Sequence, residues 1–147
     1  MKNVLVMTVG LPRSGKSTWA HEQATQGTPV VNPDSIRMSL HGKEYREDAN
    51  PVVWAIARVM VESLFLSGHT RVILDATNTV KKYRRQWKDS RWIREYRIFD
   101  TPKEECIRRA KVGGRNYLCP VIGRMAANWE PIDKDDRDDP REVPDPS

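Results

Sequence analysis

The chain has 147 residues, enough for one domain with a single buried core, and with 38% hydrophobic and 31% charged residues it is a folded globule rather than a disordered chain. Its two cysteines, Cys106 and Cys119, form no CxxC pair and its three histidines are scattered, which excludes a disulfide framework and a sequence-encoded zinc site. The net charge of +5 is uneven: residues 130–147 hold eight acidic residues against Lys134, Arg137 and Arg141, so the first 129 residues carry +10, an excess that suits a nucleic acid or a nucleotide.

In chain order, Val4 to Val9 reads as a buried strand, short, rich in β-branched residues and closed by Gly10. This run is too short to span a membrane and lacks the form of a signal peptide. With the cysteine usage it points to a reducing, cytoplasmic setting. After a turn from Gly10 to Gly15, Lys16 to Gln26 reads as a helix, Pro29 to Asn32 as a second strand and Ser35 to Leu40 as a short helix. Residues 41–50 are polar and loop-like. Val52 to Ser67 has apolar residues at Val52, Val53, Ile56, Val59, Met60 and Leu64, a helical spacing that Gly68 ends. Arg71 to Asp75 is a third strand, Val80 to Trp92 a basic helix and Tyr96 to Phe99 a fourth strand. Thr101-Pro102 opens a helix through Lys111, broken by Gly113-Gly114, and a last helix covers Val121 to Trp129. Strands alternating with helices predict an α/β fold, with a parallel sheet covered on both faces. The expected domain is 1–130. The Pro- and Asp-rich tail, 131–147, is expected to be poorly ordered or draped over the surface.

The strongest signal is Gly10-Leu11-Pro12-Arg13-Ser14-Gly15-Lys16-Ser17, which fits G-x-x-x-x-G-K-[ST] between a strand and a helix. Glycines at both ends let successive N–H groups turn inward around phosphate oxygens, and the following helix adds unpaired donors and a partial positive charge. The pattern predicts a nucleotide site running through Thr18. Lys16 reaches the β- and γ-phosphates of ATP, and Ser17 offers its hydroxyl to Mg²⁺. Arg13 either touches phosphate or is solvated. Trp19 packs its helix on the sheet.

In a doubly wound sheet the carboxyl ends of the strands line the ligand crevice. Asp34, after the second strand, is therefore placed to take the proton of an attacking hydroxyl, and Arg37 shares its helix face and is placed to hold an acceptor phosphate. The competing reading of Asp34 is a helix cap. Asp75, at the end of the third strand, is expected to support Mg²⁺. Thr77 and Asn78 are expected to contact acceptor or phosphate, or else to stabilise a turn. Arg109 and Arg115, flanking the glycine break, are the lid candidates that would stabilise charge on a transferring phosphoryl group; the alternative is a solvated helix face paired with Glu104 and Glu105. Residues 81–97 hold eight basic residues interleaved with Trp87 and Trp92, a potential nucleic-acid track, although Val80, Tyr83 and Trp87 at i, i+3 and i+7 read as a buried stripe.

These motifs together carry a family likeness. The P-loop run through Thr18-Trp19-Ala20, Asn-Pro-Asp-Ser-Ile-Arg at 32–37, Asp-Ala-Thr-Asn at 75–78 and Pro-Lys-Glu-Glu-Cys-Ile-Arg-Arg-Ala at 102–110 resemble the kinase domain of phage-type 5′-polynucleotide kinases, over about residues 3–130. The resemblance implies a P-loop NTPase-type three-layer α/β/α sandwich with a helical lid. It implies transfer of the γ-phosphate of ATP to a nucleic-acid hydroxyl, first of all the 5′-OH end of DNA or RNA. Lys16 and Ser17 then serve ATP and Mg²⁺, Asp34 is the general base, Arg37 grips the acceptor phosphate, and Arg109 and Arg115 are the lid arginines. Related small P-loop kinases act on 5-hydroxymethyluracil within DNA, on nucleosides or on sugars, and these acceptors stay open. A non-catalytic nucleotide switch would use Lys16 and Ser17 without needing Asp34.

Overall fold

A computed structural model of the chain describes residues 1–43 and 51–146. Most of the loop expected at 41–50 therefore lies outside the described residues. The elements run β1 (Val4–Gly10), α1 (Lys16–Thr25), β2 (Val30–Val31), α2 (Pro33–His41), α3 (Pro51–Leu66), β3 (Arg71–Leu74), α4 (Lys81–Arg85), β4 (Ile93–Phe99), α5 (Lys103–Val112) and α6 (Cys119–Ala127). The four strands form one parallel sheet in the order β2-β3-β1-β4. Placing β1 in the middle explains its near-continuous apolar sequence, because both of its faces are covered. Leu5 and Met7 join Val72 and Leu74 in a core closed by α3, while Val6 and Ile73 meet Ala20 of α1 on the other face. A third cluster, Leu11, Cys106, Ala110, Leu118 and Ile122, packs α5 and α6 beside the first loop. The predicted α/β three-layer fold is observed.

The helix expected from Val52 to Ser67 is present as α3; its buried face is Val53, Ala57 and Val61, an i, i+4, i+8 stripe, whereas Val52, Val59 and Met60 are exposed. The basic helix predicted from Val80 to Trp92 stops at Arg85. A turn follows in which the Asp89 carboxylate accepts from the Arg91 backbone N–H, and Trp87 and Trp92 drop into the core with the Trp92 indole N–H donating to the Trp87 carbonyl. Buried in this way, Trp87 is no stacking platform for bases. Tyr83, expected in the buried stripe, is exposed, and Arg84 is buried in its place.

Of the two expectations for the tail, draped over the surface is the one observed: it folds into two short 3-10 turns, Lys134–Asp136 and Pro140–Glu142, held against the body by buried ion pairs. The Arg84 guanidinium, 0% exposed, donates to both oxygens of Asp136, 1% exposed, at 3.0 and 3.1 Å. Arg94 makes the same fork to Asp138 at 3.0 and 2.8 Å, and Lys81 pairs with Asp133 and Asp135. The Tyr96 hydroxyl donates to the Asp136 carbonyl, and burial pushes its pKa up to about 12. The composition that signals disorder here supplies counter-ions for arginines that the sheet buries.

Candidate active site

The first loop is shaped by close approach. A Cβ at Gly10 would stand 2.7 Å from the Ser14 hydroxyl and 3.0 Å from Phe99, so only glycine fits there. Gly15 caps α1 in the left-handed region (φ +103°), and Arg13 is also left-handed (φ +68°), a strained position for a residue with a side chain. The Gly10 N–H donates to the Thr77 carbonyl at 2.9 Å, tying the loop to the end of β3.

Lys16 is folded back into this loop, where its ammonium donates to the Leu11 carbonyl at 2.6 Å and the Ser14 hydroxyl at 3.3 Å. Burial lowers its pKa from 10.5 to about 8, against the pull of the Asp75 and Asp34 carboxylates. Asp75, just past β3, gathers the ends of three elements. It accepts from the Ser17 hydroxyl of α1 and the Asn32 amide after β2, each at 3.1 Å, and from the Thr8 hydroxyl of β1 at 3.3 Å. Burial raises its pKa above the ordinary carboxylate value, opposed by Lys16 and these hydrogen bonds. Thr8 and Asn32 are the residues that sequence reasoning missed. The available signals were a lone hydroxyl in an apolar strand and an Asn immediately before a helix-opening Pro.

Asn32 also resolves the competing reading of Asp34. Its side-chain oxygen caps α2 by accepting from the Asp34 and Ser35 N–H groups, and Pro33 fills the first helical position. Asp34 is therefore not the cap. It stands in the first turn, 57% exposed, with Arg37 donating to its carboxylate at 2.6 Å.

A cleft of about 370 Å³ brings together Lys16, Ser17, Asp75, Asp34, Arg37, Thr77 and Arg115, and Pro12, Arg13, Asn32, Pro33, Trp54, Leu118 and Met125 also line it. A smaller cavity of about 240 Å³ shares Arg13, Lys16 and Ser17 with this cleft and is also lined by Gly15, Thr18 and Arg109. The two lid candidates thus line different cavities, Arg115 the larger and Arg109 the smaller. Arg109 donates to the Arg13 carbonyl at 3.2 Å and to Glu105 at 3.0 Å, and Arg108 shares that carboxylate, holding its pKa down to about 2. Arg13 lies against Gly113, where a Cβ would stand 2.9 Å from its guanidinium.

Asn78 is a correction. It is buried, left-handed (φ +47°), and donates its amide to the Thr8 carbonyl, so it braces the β3 turn and does not line the cleft. The Ser17 hydroxyl and Asp75 carboxylate form a donor set suited to Mg²⁺, which takes one or two protein oxygens and draws its other ligands from phosphates and water. Among the described residues no cluster of three or more His, Cys, Asp or Glu could cage a metal alone, and no helix is long and apolar enough to cross a membrane.

The sequence profile of a family described as an AAA domain matches residues 5–118. The chain is similar to a solved structure of a Pnkp1/Rnl/Hen1 complex, with 28% identity, a TM-score of 0.58, and coverage of 74% of this chain and 39% of that one. It is similar to the Pnkp1/Rnl/Hen1 RNA repair complex at 23% identity and a TM-score of 0.57, covering 89% and 48%. It is similar to the Mycobacterium tuberculosis APS kinase CysC in complex with AMPPNP and APS at 18% identity and a TM-score of 0.53, covering 90% and 85%. The chain therefore spans less than half the length of the first two chains it matches.

Proposed function

Because the chain belongs to the AAA domain family, as a P-loop protein with the fold of P-loop kinases, we infer that it transfers the γ-phosphate of ATP to a hydroxyl of a nucleic acid, with the 5′-OH end of DNA or RNA as acceptor. One observation carries this reading: the Asp34–Arg37 pair lines the same cleft as Lys16, Ser17 and Asp75. A phosphate donor and a hydroxyl acceptor can then meet between a base and a cationic loop, the arrangement in-line transfer needs.

Lys16 leaves the Leu11 carbonyl for the β- and γ-phosphates, which replace the oxygens it now uses. Ser17 and Asp75 are the residues that would hold Mg²⁺, which would supply positive charge against the phosphates. Asp34 takes the proton of the attacking hydroxyl, and Arg37 donates to its carboxylate and orients it. Arg37 and Arg115, which line the larger cleft, receive the acceptor phosphate, while Arg109 and Thr18, which line the smaller cavity, meet the nucleotide. The similarity to the Pnkp1 complexes supports a polynucleotide acceptor. Hydroxymethylated bases, nucleosides, sugars and adenylyl sulfate are the acceptors it competes with.

The test is incubation with γ-labelled ATP and Mg²⁺ against 5′-OH oligonucleotides, a hydroxymethyluracil-containing duplex, nucleosides, sugars and adenylyl sulfate. Label is expected at the oligonucleotide 5′ end. Label on a small molecule alone, or ATP binding without transfer to any acceptor, would remove the reading.

A further inference from the structure

The cleft is chemically mixed. Beside its charged and polar groups, Arg37 and Arg115 among them, it is lined by apolar side chains that include Pro33, Trp54, Leu118 and Met125. Small hydrophilic acceptors have little use for such side chains, since their hydroxyls want donors and acceptors around them. A flat, weakly polar ring bonded to an anionic backbone matches both parts.

Trp54 is the only aromatic residue lining the cleft among the described residues. It lies on α3, one residue past the buried Val53, and it is half-buried. Trp87 meets it edge-on at 6.4 Å on the core side. The Arg37 guanidinium lies 6.0 Å from its ring centre. The ring is thus packed against the core and overlaid by the arginine assigned to the acceptor phosphate, so a base that stacks here takes the place of a guanidinium that turns to that phosphate. An aromatic ring anchored in this way offers contact area at small entropic cost, and rings of this kind hold bases irrespective of base identity.

We propose that Trp54 is the platform for the 5′-terminal nucleobase of the acceptor strand, a specificity-determining residue that places the terminal hydroxyl at Asp34 and favours base-bearing acceptors over sugars. The proposal rests on the nucleic-acid reading of the site. Trp54 stands on α3 and not on the loop assigned to ATP, so its loss is expected to act on the acceptor and to leave ATP binding unchanged.

The experiment is a cycle between the protein and its acceptor. kcat/KM is measured for a 5′-OH oligonucleotide and for the same strand with an abasic 5′-terminal unit, using wild type, Trp54→Leu and Trp54→Phe. Leucine keeps the core side filled but offers no flat face, and phenylalanine retains a smaller one; an unchanged KM for ATP verifies that each variant is folded. Trp54→Leu is expected to lower kcat/KM for the full oligonucleotide by roughly five- to a hundredfold, the range of base stacking on an aromatic ring, with Trp54→Phe falling less. The abasic unit is expected to impose a similar loss on wild type and little further loss on Trp54→Leu. If Trp54→Leu stays within twofold of wild type, or the abasic penalty is undiminished in it, the proposal is overturned while the kinase reading stands. If wild type phosphorylates no 5′-OH oligonucleotide, the nucleic-acid reading fails and the proposal falls with it.

Discussion

Lys16 occupies a seat made of the oxygens of its own loop. That seat is poor for a cation, since burial holds its pKa near 8, so a fraction of the protein carries a neutral Lys16 just above neutrality. A triphosphate brings negative charge to the same atom and drives its pKa back up. ATP binding at pH 8.5 is therefore expected to take up protons, and at pH 7 to take up almost none. Calorimetry in buffers of different ionisation heat measures this, and an absence of uptake at pH 8.5 contradicts the buried-cation account. Asp34 gives a second prediction at this scale. Asp34→Asn preserves size and exposure but removes the base, so kcat should fall by about 10²- to 10⁴-fold with ATP affinity unchanged. Transfer at the normal rate would mean that the hydroxyl loses its proton elsewhere.

At the scale of elements, α2 shows how one residue serves two neighbours. Asn32 closes the helix with its oxygen and holds Asp75 with its amide nitrogen. Asn32→Ala should lower stability by about 1 kcal/mol through the lost cap, read as a fall in Tm. Asn32→Ser should keep the cap and Tm yet raise the Mg²⁺ concentration needed for activity, because Asp75 loses a donor. If the serine variant needs no more Mg²⁺ than wild type, the amide contact is incidental. The same scale shows what the sequence could and could not disclose. The loop, its flanking strand and helix, and the Asp34–Arg37 spacing are local patterns, legible because phosphate binding needs a fixed order of neighbouring residues. The extent of α4 and the side of it that is buried were not legible. Arg84 is buried because Asp136, fifty-two residues away, meets it, and no periodicity within residues 80–92 carries that information. Asn78 was misplaced for a related reason: its polarity suggests a ligand, but the Thr8 carbonyl, seventy residues away, already takes its amide.

At the scale of the whole molecule, the +10 of the first 129 residues overstates what reaches solvent. Arg84 and Arg94 are buried against Asp136 and Asp138, Lys81 is held by Asp133 and Asp135, and Arg91 by Asp89 and Glu62. On the nucleic-acid reading, a strand seated in the cleft meets Arg37 and Arg115, while Lys82, Arg85 and Arg97 stay exposed outside it. Its affinity should fall with salt along a shallow slope, corresponding to about two or three phosphate contacts rather than a long track. A titration between low and physiological salt measures it, and a slope nearer to eight would restore the extended track. The buried pairs make a stability prediction as well. Arg84→Met should be tolerated better when Asp136 is also made apolar, whereas removing either partner alone should cost about 3–5 kcal/mol by stranding a charge in the interior. Equal losses from the single and double changes in chemical denaturation would refute a true ionic lock.

The fork between Arg84 and Asp136 also bears on where this protein can be cut. The family profile ends at residue 118, and composition suggests trimming the acidic extension. A fragment stopping at residue 130 would leave two guanidiniums inside its fold with no anion to answer them, together with an uncovered Tyr96 hydroxyl. Such a fragment should aggregate on expression, and supplying residues 131–146 as a separate peptide should rescue it. The extension is thus better understood as a stopper moulded to its own bottle than as a label tied to the neck.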